Sequence, residues 1–142
     1  MQNHRGGNSM KPYVELLGRI LISTIFVLTG FAKLTGYPGT SKMLASIGIP
    51  LASVAAAVAI LVELGGGLLL VAGWQTRYVA TVMFFYLIVI TLKLHNFWNA
   101  PPAMHQDQFI HFLKNVAIMG AMLKLAADGA GAISMDRRRR HT

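Results

Sequence analysis

The segment AILVELGGGLLLVAGW, from Ala59 to Trp74, contains a single charged residue, Glu63, among apolar and glycine side chains. A carboxylate can accept hydrogen bonds, pair with a cation or exchange a proton. An ionised carboxylate in the middle of a bilayer costs about 2.5–3.5 kcal/mol on insertion scales. If this segment spans a membrane, Glu63 must therefore face other helices and be paired, or else be neutral.

A second group of polar residues lies at the predicted outer ends of the apolar runs. Lys33 ends the first run, Lys93 and His95 end the third, and Lys114 with Asn115 opens the fourth. Donors at this level could hold the carbonyl or hydroxyl oxygens of a quinone head group that enters from the membrane. The alternative is that each lysine extends its ammonium group to the membrane surface. Lys33, His95, Lys114 and Asn115 are therefore candidate ligand-binding residues, and no cofactor other than quinone is predicted.

Three histidines, His95, His105 and His111, together with Asp107, raise the question of a metal or haem site. Their spacing fits no compact ligand motif. A b-type haem needs two axial histidines that face each other across the bundle, whereas His95 and His111 both lie at the outer edge. We therefore predict neither a metal site nor a haem.

The elements that position these residues follow from composition. Of the 142 residues, 54% are hydrophobic and 13% are charged, which is about half the charged fraction of an average soluble domain. The apolar residues form four runs, at about 13–34, 51–74, 78–94 and 109–127, and each can cross a hydrocarbon core of about 30 Å. Period-two alternation is absent, which leaves helices as the spanning structure. We predict a single all-α domain over residues 1–142, an integral membrane four-helix bundle.

The basic residues predict the orientation of this bundle. Nine of the thirteen Lys and Arg residues lie on the side of the two termini and four on the other side, so the positive-inside rule places both termini in the cytoplasm. The run from Arg137 to Arg140 is interpreted as an anchor on anionic lipid, and no nucleic-acid partner is predicted. On the outer side, a short interfacial helix is predicted at about 40–49, between Pro38 and Pro50.

Counting depth along the helices gives Glu63 a predicted partner. Glu63 lies about 18 Å from the outer end of the second run, and Arg19 falls within roughly 3 Å of the same level. We therefore predict that Arg19 and Glu63 form an intramembrane pair. Small residues allow helix backbones to approach closely inside lipid, where packing drives association. The predicted helix-packing positions are Gly30, Gly66 and Gly67.

Four segments carry a more specific pattern: GRILISTIFVLTGFAKLTGYPGT, VELGGGLLLVAGWQTR, LKLHNFW and FLKNVAIMGAMLKLAADGAGAISMD. In this order they resemble the DoxX family of small four-helix bacterial inner-membrane proteins. The resemblance implies the signature positions Arg19, Gly30, Lys33, Glu63, Gly66, Gly67, Gly73, His95, Lys114, Asn115, Gly129, Gly131, Ser134 and Asp136. It also implies a multi-pass location in the bacterial inner membrane and association with an oxidoreductase or oxidative-stress complex, without fixing a reaction.

Three functional hypotheses are consistent with these residues. In the first, the chain is a quinone-linked subunit in which the outer polar group binds the head group and the Arg19–Glu63 pair shapes or protonates the site. In the second, it is a non-catalytic scaffold that assembles partner proteins. In the third, it is a small transporter whose midplane charge couples to substrate or protons. The chain has no cysteine, so a redox role needs an electron carrier from elsewhere. Enzymatic activity, oxidoreductase partner proteins and self-association all stay open.

Overall fold

The computed structural model describes residues 10–138, and every regular element in this part of the chain is a helix. The elements are α1 (Lys11–Thr35), α2 (Tyr37–Ser46), α3 (Ala52–Ile60), a π-helical turn (Leu61–Gly65), α4 (Gly66–Ala72), α5 (Thr76–Leu94), a 3-10 turn (Phe97–Asn99), α6 (Pro102–Asp128) and α7 (Met135–Arg138). Four stretches are long and apolar enough to cross a membrane: Lys11–Thr35, Ala52–Ala72, Thr76–Asn99 and Pro102–Asp128. The prediction of an all-α protein with four spans is confirmed.

Two helices begin three or more residues earlier than hydropathy places them. α6 starts at Pro102 instead of at about 109, because the polar stretch from His105 to Gln108 separates its first turn from the apolar run. α2 starts at Tyr37 instead of at about 40, with a proline in its first turn. Proline is favoured there because the first backbone amides of a helix have no partner within it. The predicted lipid anchor, which runs from Arg137 to Arg140, lies partly outside the described residues.

The helices leave one seam of the bundle open. α1 packs on the second span, α5 packs on α4, and α6 packs mainly on α5. α1 and α6 make no comparable contact with each other in the described part of the chain. We call the side on which α1 begins and α6 ends the terminal side, and the opposite side the far side. The apolar core between the helices consists of Phe26, Leu70, Val79, Ala80, Met83, Leu87 and Met122.

Glycines lie where helices approach most closely. A Cβ atom at Gly30 would lie 2.5 Å from the backbone nitrogen of Leu64, and one at Gly67 would lie 2.9 Å from the Val27 side chain. Gly66 faces α5 instead, where a Cβ atom would lie 2.9 Å from a methionine sulfur. At Gly30 the obstacle is backbone, so there is no room for a side chain, whereas at Gly66 it is the flexible end of Met83 and at Gly67 the Val27 side chain with its backbone close behind. The contact between Gly30 and Leu64 also fixes the axial register of the first two spans.

Candidate functional site

Glu63 lies in the π-helical turn Leu61–Gly65 and is only 3% exposed. Three side chains donate hydrogen bonds to its carboxylate. Lys33 Nζ and Thr29 Oγ1, both on α1, each lie 2.7 Å from Oε2. Tyr86 Oη, on α5, lies 2.5 Å from Oε1. The carboxylate therefore joins three consecutive spans, and we call these four side chains the Glu63 pocket.

The π-helical turn is a local departure from α-helical geometry within the second span. Its backbone bonds run from one residue to the fifth along the chain, which makes the turn wider than an α-helical turn. Such turns occur mostly as single insertions inside α-helices and are frequent at functional sites. Here the turn contains the only acidic residue of the second span. Glu63 is thus both the charged centre of the span and part of its irregular backbone.

The charges of the Glu63 pocket are balanced between one carboxylate and one ammonium group. The Lys33–Glu63 ion pair has side-chain exposures of 27% and 4%. A buried charge is tolerated when it is paired and its remaining lone pairs are hydrogen-bonded, and here two hydroxyl groups supply those bonds. Lys33, Thr29 and Tyr86 are each partly exposed, so the pocket is not fully enclosed around the buried carboxylate.

The predicted pairing of Arg19 with Glu63 is corrected by this geometry. Arg19 is 2% exposed, and its guanidinium donates to backbone carbonyl oxygens instead. Nη2 lies 3.3 Å from the Val71 oxygen and 2.9 Å from the Ile133 oxygen, and Nη1 donates to Ala130. Thr29, which donates a hydrogen bond to Glu63, follows Arg19 by ten residues, or about 15 Å along α1. Arg19 is therefore too far along the helix to pair with Glu63.

The depth count failed because it assumed that the first two spans end at the same level on the far side. Gly30, which faces Leu64, precedes the end of α1 at Thr35 by five residues. Leu64 follows the start of α3 at Ala52 by twelve. The second span therefore extends about 10 Å beyond α1, and α2 packs along this extension. Glu63 is consequently level with Thr29 and within reach of Lys33.

Arg19 belongs to a separate polar cluster that closes the terminal side. The loop after α6 folds back over the end of the bundle, and its Ala130 and Ile133 carbonyl oxygens accept two of the three Arg19 hydrogen bonds. Glu15 Oε2 accepts a bond from the Ala132 amide at 3.4 Å. Asp136 accepts bonds from the amides of Gln75 and Thr76, at 2.6 and 2.9 Å, and so caps α5. These contacts hold the segment after α6 against α1 and α5.

The other predicted ligand residues lie at the contact between α5 and α6. His95 Nδ1 lies 3.0 Å from Gln108 Oε1, and the His95 ring stacks on His111 with a centroid distance of 5.1 Å. Asn115 Nδ2 donates to Thr91 Oγ1 at 3.0 Å. Lys114, beside Asn115, is exposed on α6. The contacts of Lys33 and those of His95 and Asn115 thus belong to different helix pairs.

Within residues 10–138, no group of three or more His, Cys, Asp or Glu side chains is placed to hold a metal ion.

Sequence reasoning missed Thr29 and Tyr86, although both have a recognisable signal. Thr29 precedes Lys33 by four residues, so the two side chains share one face of α1. Tyr86 places a hydroxyl group in the middle of the third apolar run, where a polar group needs a partner. The π-helical turn had no comparable signal, since LVELG is compatible with an ordinary α-helix.

Four spanning helices around a buried carboxylate define a polytopic membrane protein with an intramembrane polar site. The chain belongs to the DoxX family, which it matches over residues 14–96. It is 38% identical to "Inner membrane protein YphA" of Escherichia coli, over 90% of this chain and 91% of that protein. It is 34% identical to "Inner membrane protein YqjF" of Escherichia coli, over 86% and 88% of the two chains. It is 33% identical to "Putative oxidoreductase CatD" of Bacillus subtilis, over 85% and 83%.

No solved structure shows a significant match to the chain. The inner-membrane relatives and the four spanning helices agree with each other. The chain is accordingly a multi-pass inner-membrane protein of the DoxX family.

Proposed function

We propose that this chain is the membrane subunit of an oxidoreductase assembly and that the Glu63 pocket binds the head group of a membrane quinone. The relative named as an oxidoreductase supports the first part of the proposal. The second part rests on one observation, the buried carboxylate that is surrounded by an ammonium group and two hydroxyl groups. This set offers donors and an acceptor inside a lipid-exposed helix bundle.

A quinone head group suits such a pocket for chemical reasons. It is a flat, largely apolar ring with two carbonyl oxygens, and in the reduced form these oxygens become hydroxyl groups. Lys33 has two N–H donors besides the one bound to Glu63, and these suit a carbonyl oxygen of the quinone. Tyr86 has a single O–H, which would exchange Glu63 for the quinone oxygen, and Glu63 could then accept from a hydroxyl group of the quinol. Each form of the ligand would therefore find a hydrogen-bond partner, which a buried polar group requires.

The proton and electron balance assigns a limited role to this chain. Reduction of a quinone to a quinol takes up two electrons and two protons. We propose that the electrons come from a redox-active partner protein, since the chain has no cysteine for thiol chemistry. The two protons would come from water. Lys33 and Tyr86 would pass them to the bound oxygens on reduction, and the Glu63 carboxylate would accept a proton when a quinol is oxidised, because proton transfer needs a group within hydrogen-bond reach.

This proposal retains Lys33 from the predicted ligand residues and moves the head group toward the Glu63 pocket. Lys114 then has no role in binding, so Lys114→Ala should leave the affinity for a quinone analogue unchanged. A weakened affinity would instead place the head group beside His95 and Asn115, as the sequence predicted. The one substitution therefore separates the two positions.

Quinone retention tests the proposal directly. The protein is purified in mild detergent from quinone-containing membranes, and extracted quinone is quantified per protein by mass spectrometry. Tyr86→Phe removes one hydroxyl group and should lower retention about fivefold, the effect of one hydrogen bond of about 1 kcal/mol. Tyr78→Phe is the matched control, because Tyr78 is 70% exposed on the same helix. Equal retention in the two variants would reject the pocket as the quinone site.

The same purification tests the proposed assembly. A redox-active protein that co-purifies in fixed ratio with this chain supports the role of a membrane subunit. A fixed-ratio partner without bound quinone would support the scaffold hypothesis instead and would contradict the head-group site. Glu63→Gln should reduce the quinone content without releasing the partner, since Glu63 is buried away from the protein surface.

A further inference from the structure

A cleft of about 310 Å³ lies between α1 and α6 on the terminal side. It exists because α1 packs on the second span and α6 packs on α5, which leaves the seam between them unfilled. Arg19 and the loop from Gly129 to Gly131 also line it. The Glu63 pocket lies about 15 Å further along α1, so the cleft is a separate site that the proposed function does not use.

The lining of this cleft changes from charged to apolar along the helix axes. Glu15 and Asp128 lie at its terminal end, on α1 and α6 respectively. Ile22 and Ala121 are the lining residues farthest from that end, and each is seven residues from the carboxylate on its own helix. The cleft therefore extends roughly 10 Å from a charged rim into the hydrocarbon layer. This is the polarity gradient of one lipid in one leaflet.

Two lysines and two carboxylates lie at the rim, with Lys11 placed there by its contact with Glu15 and not as a lining residue of the cleft. Lys11 lies 3.7 Å from Glu15, and Lys124 forms an ion pair with Asp128. The two lysine side chains are about three-quarters exposed, at 76% and 75%. Exposed ion pairs of this kind contribute little to stability, typically about 0–1 kcal/mol. They can therefore exchange partners with a ligand that carries both a phosphate and an ammonium group.

We propose that this cleft binds one phospholipid with a phosphoethanolamine head group. Its phosphate pairs with Lys124 or Lys11, its primary ammonium group with Glu15 or Asp128, and one acyl chain fills the space between α1 and α6. Arg19 also lines the cleft, but its guanidinium is already bonded to backbone carbonyl oxygens. The rim groups open to a head group are therefore two lysines and two carboxylates, and a purely anionic head group gains no advantage from them. A trimethylammonium group cannot donate hydrogen bonds to the carboxylates, so the rim also disfavours phosphocholine.

A pair of glycine substitutions tests whether the cleft is occupied. Gly18 lines the cleft, and a Cβ atom there would have no protein neighbour within 4 Å. Gly18→Leu therefore places a side chain in the cleft, and its Cβ atom meets no protein atom. Gly120→Leu is the matched control, because Gly120 also has no neighbour within 4 Å but does not line the cleft. Native mass spectrometry should show a retained phospholipid in the control and loss of it in Gly18→Leu. Equal retention would overturn the proposal.

Head-group selectivity tests the chemistry of the rim. The delipidated full-length protein is titrated with phosphatidylethanolamine, phosphatidylcholine and phosphatidylglycerol that carry identical acyl chains. The bound fraction should be about two- to fivefold higher for phosphatidylethanolamine, the range expected from one partly exposed ion pair. Glu15→Gln combined with Asp128→Asn removes both carboxylates of the rim and should abolish the preference over phosphatidylcholine while leaving total lipid binding in place. A preference for phosphatidylglycerol, or no preference in the unsubstituted protein, would refute a phosphoethanolamine site.

Discussion

Loss of either charge in the Lys33–Glu63 pair should destabilise the protein. Removal of one partner from a buried ion pair typically costs about 3–5 kcal/mol, because the other charge is left uncompensated. Two features reduce this cost here. The Lys33 side chain is 27% exposed, and Glu63 keeps two hydroxyl donors when Lys33 is removed. We expect a loss of about 2–3 kcal/mol for Lys33→Met and about 1–2 kcal/mol for Glu63→Gln, whose amide still accepts hydrogen bonds.

Loss of both charges should cost less than the sum of the two single losses. We expect a coupling of about 1–2 kcal/mol in a double-mutant cycle, as for residues in direct contact. The assay is denaturant or thermal unfolding in one detergent at fixed pH. Arg19→Met with Glu63→Gln is the control cycle, and its effects should add within about 0.5 kcal/mol, since Arg19 shares no partner with Glu63 and lies about 15 Å along α1 from Thr29, which does bond to Glu63.

The two cycles together can refute the assignment of the pair. Additive losses in the Lys33 cycle would mean that the ammonium and the carboxylate do not stabilise each other. Coupling in the Arg19 cycle would restore the partner that depth counting selected. Only coupling in the first cycle combined with additivity in the second agrees with the observed contacts.

Three further predictions test the helix contacts, the α5 cap and the orientation. Gly30→Ala should lower the melting temperature in detergent far more than Gly120→Ala. A Cβ atom at Gly30 would meet backbone at 2.5 Å, whereas one at Gly120 would meet nothing within 4 Å. Similar melting-temperature shifts in the two variants would contradict the contact at Gly30. Asp136→Ala should cost about 1 kcal/mol by removing the cap of α5, and an unchanged unfolding curve would show that the cap is dispensable. Only a reporter that works in the cytoplasm should be active when fused after Thr142, and Gln106→Cys should react with a thiol reagent added from outside. Activity of a periplasmic reporter at this position would contradict the predicted orientation.

The spans could be predicted from the sequence because hydropathy is a local property. A run of about twenty apolar residues is unstable in water and long enough to cross lipid whatever its neighbours are. The same reasoning identified Glu63 as a polar centre, since a carboxylate in such a run must be compensated. The start of α6 was missed for the complementary reason, because the polar stretch from His105 to Gln108 gives no hydropathy signal.

The partner of Glu63 was decided by the tertiary structure alone. The axial register of two helices depends on how their whole surfaces fit together. Here the contact of Gly30 with Leu64 makes the second span extend about 10 Å beyond α1 on the far side, where depth counting had placed both ends at one level. That shift brings Lys33 to Glu63 and leaves Arg19 at the terminal side. Arg19 then binds backbone carbonyl oxygens, which every residue has and which no sequence pattern can mark as acceptors. The sequence therefore determined which side chains needed partners, and the packing of the helices determined which partners they received.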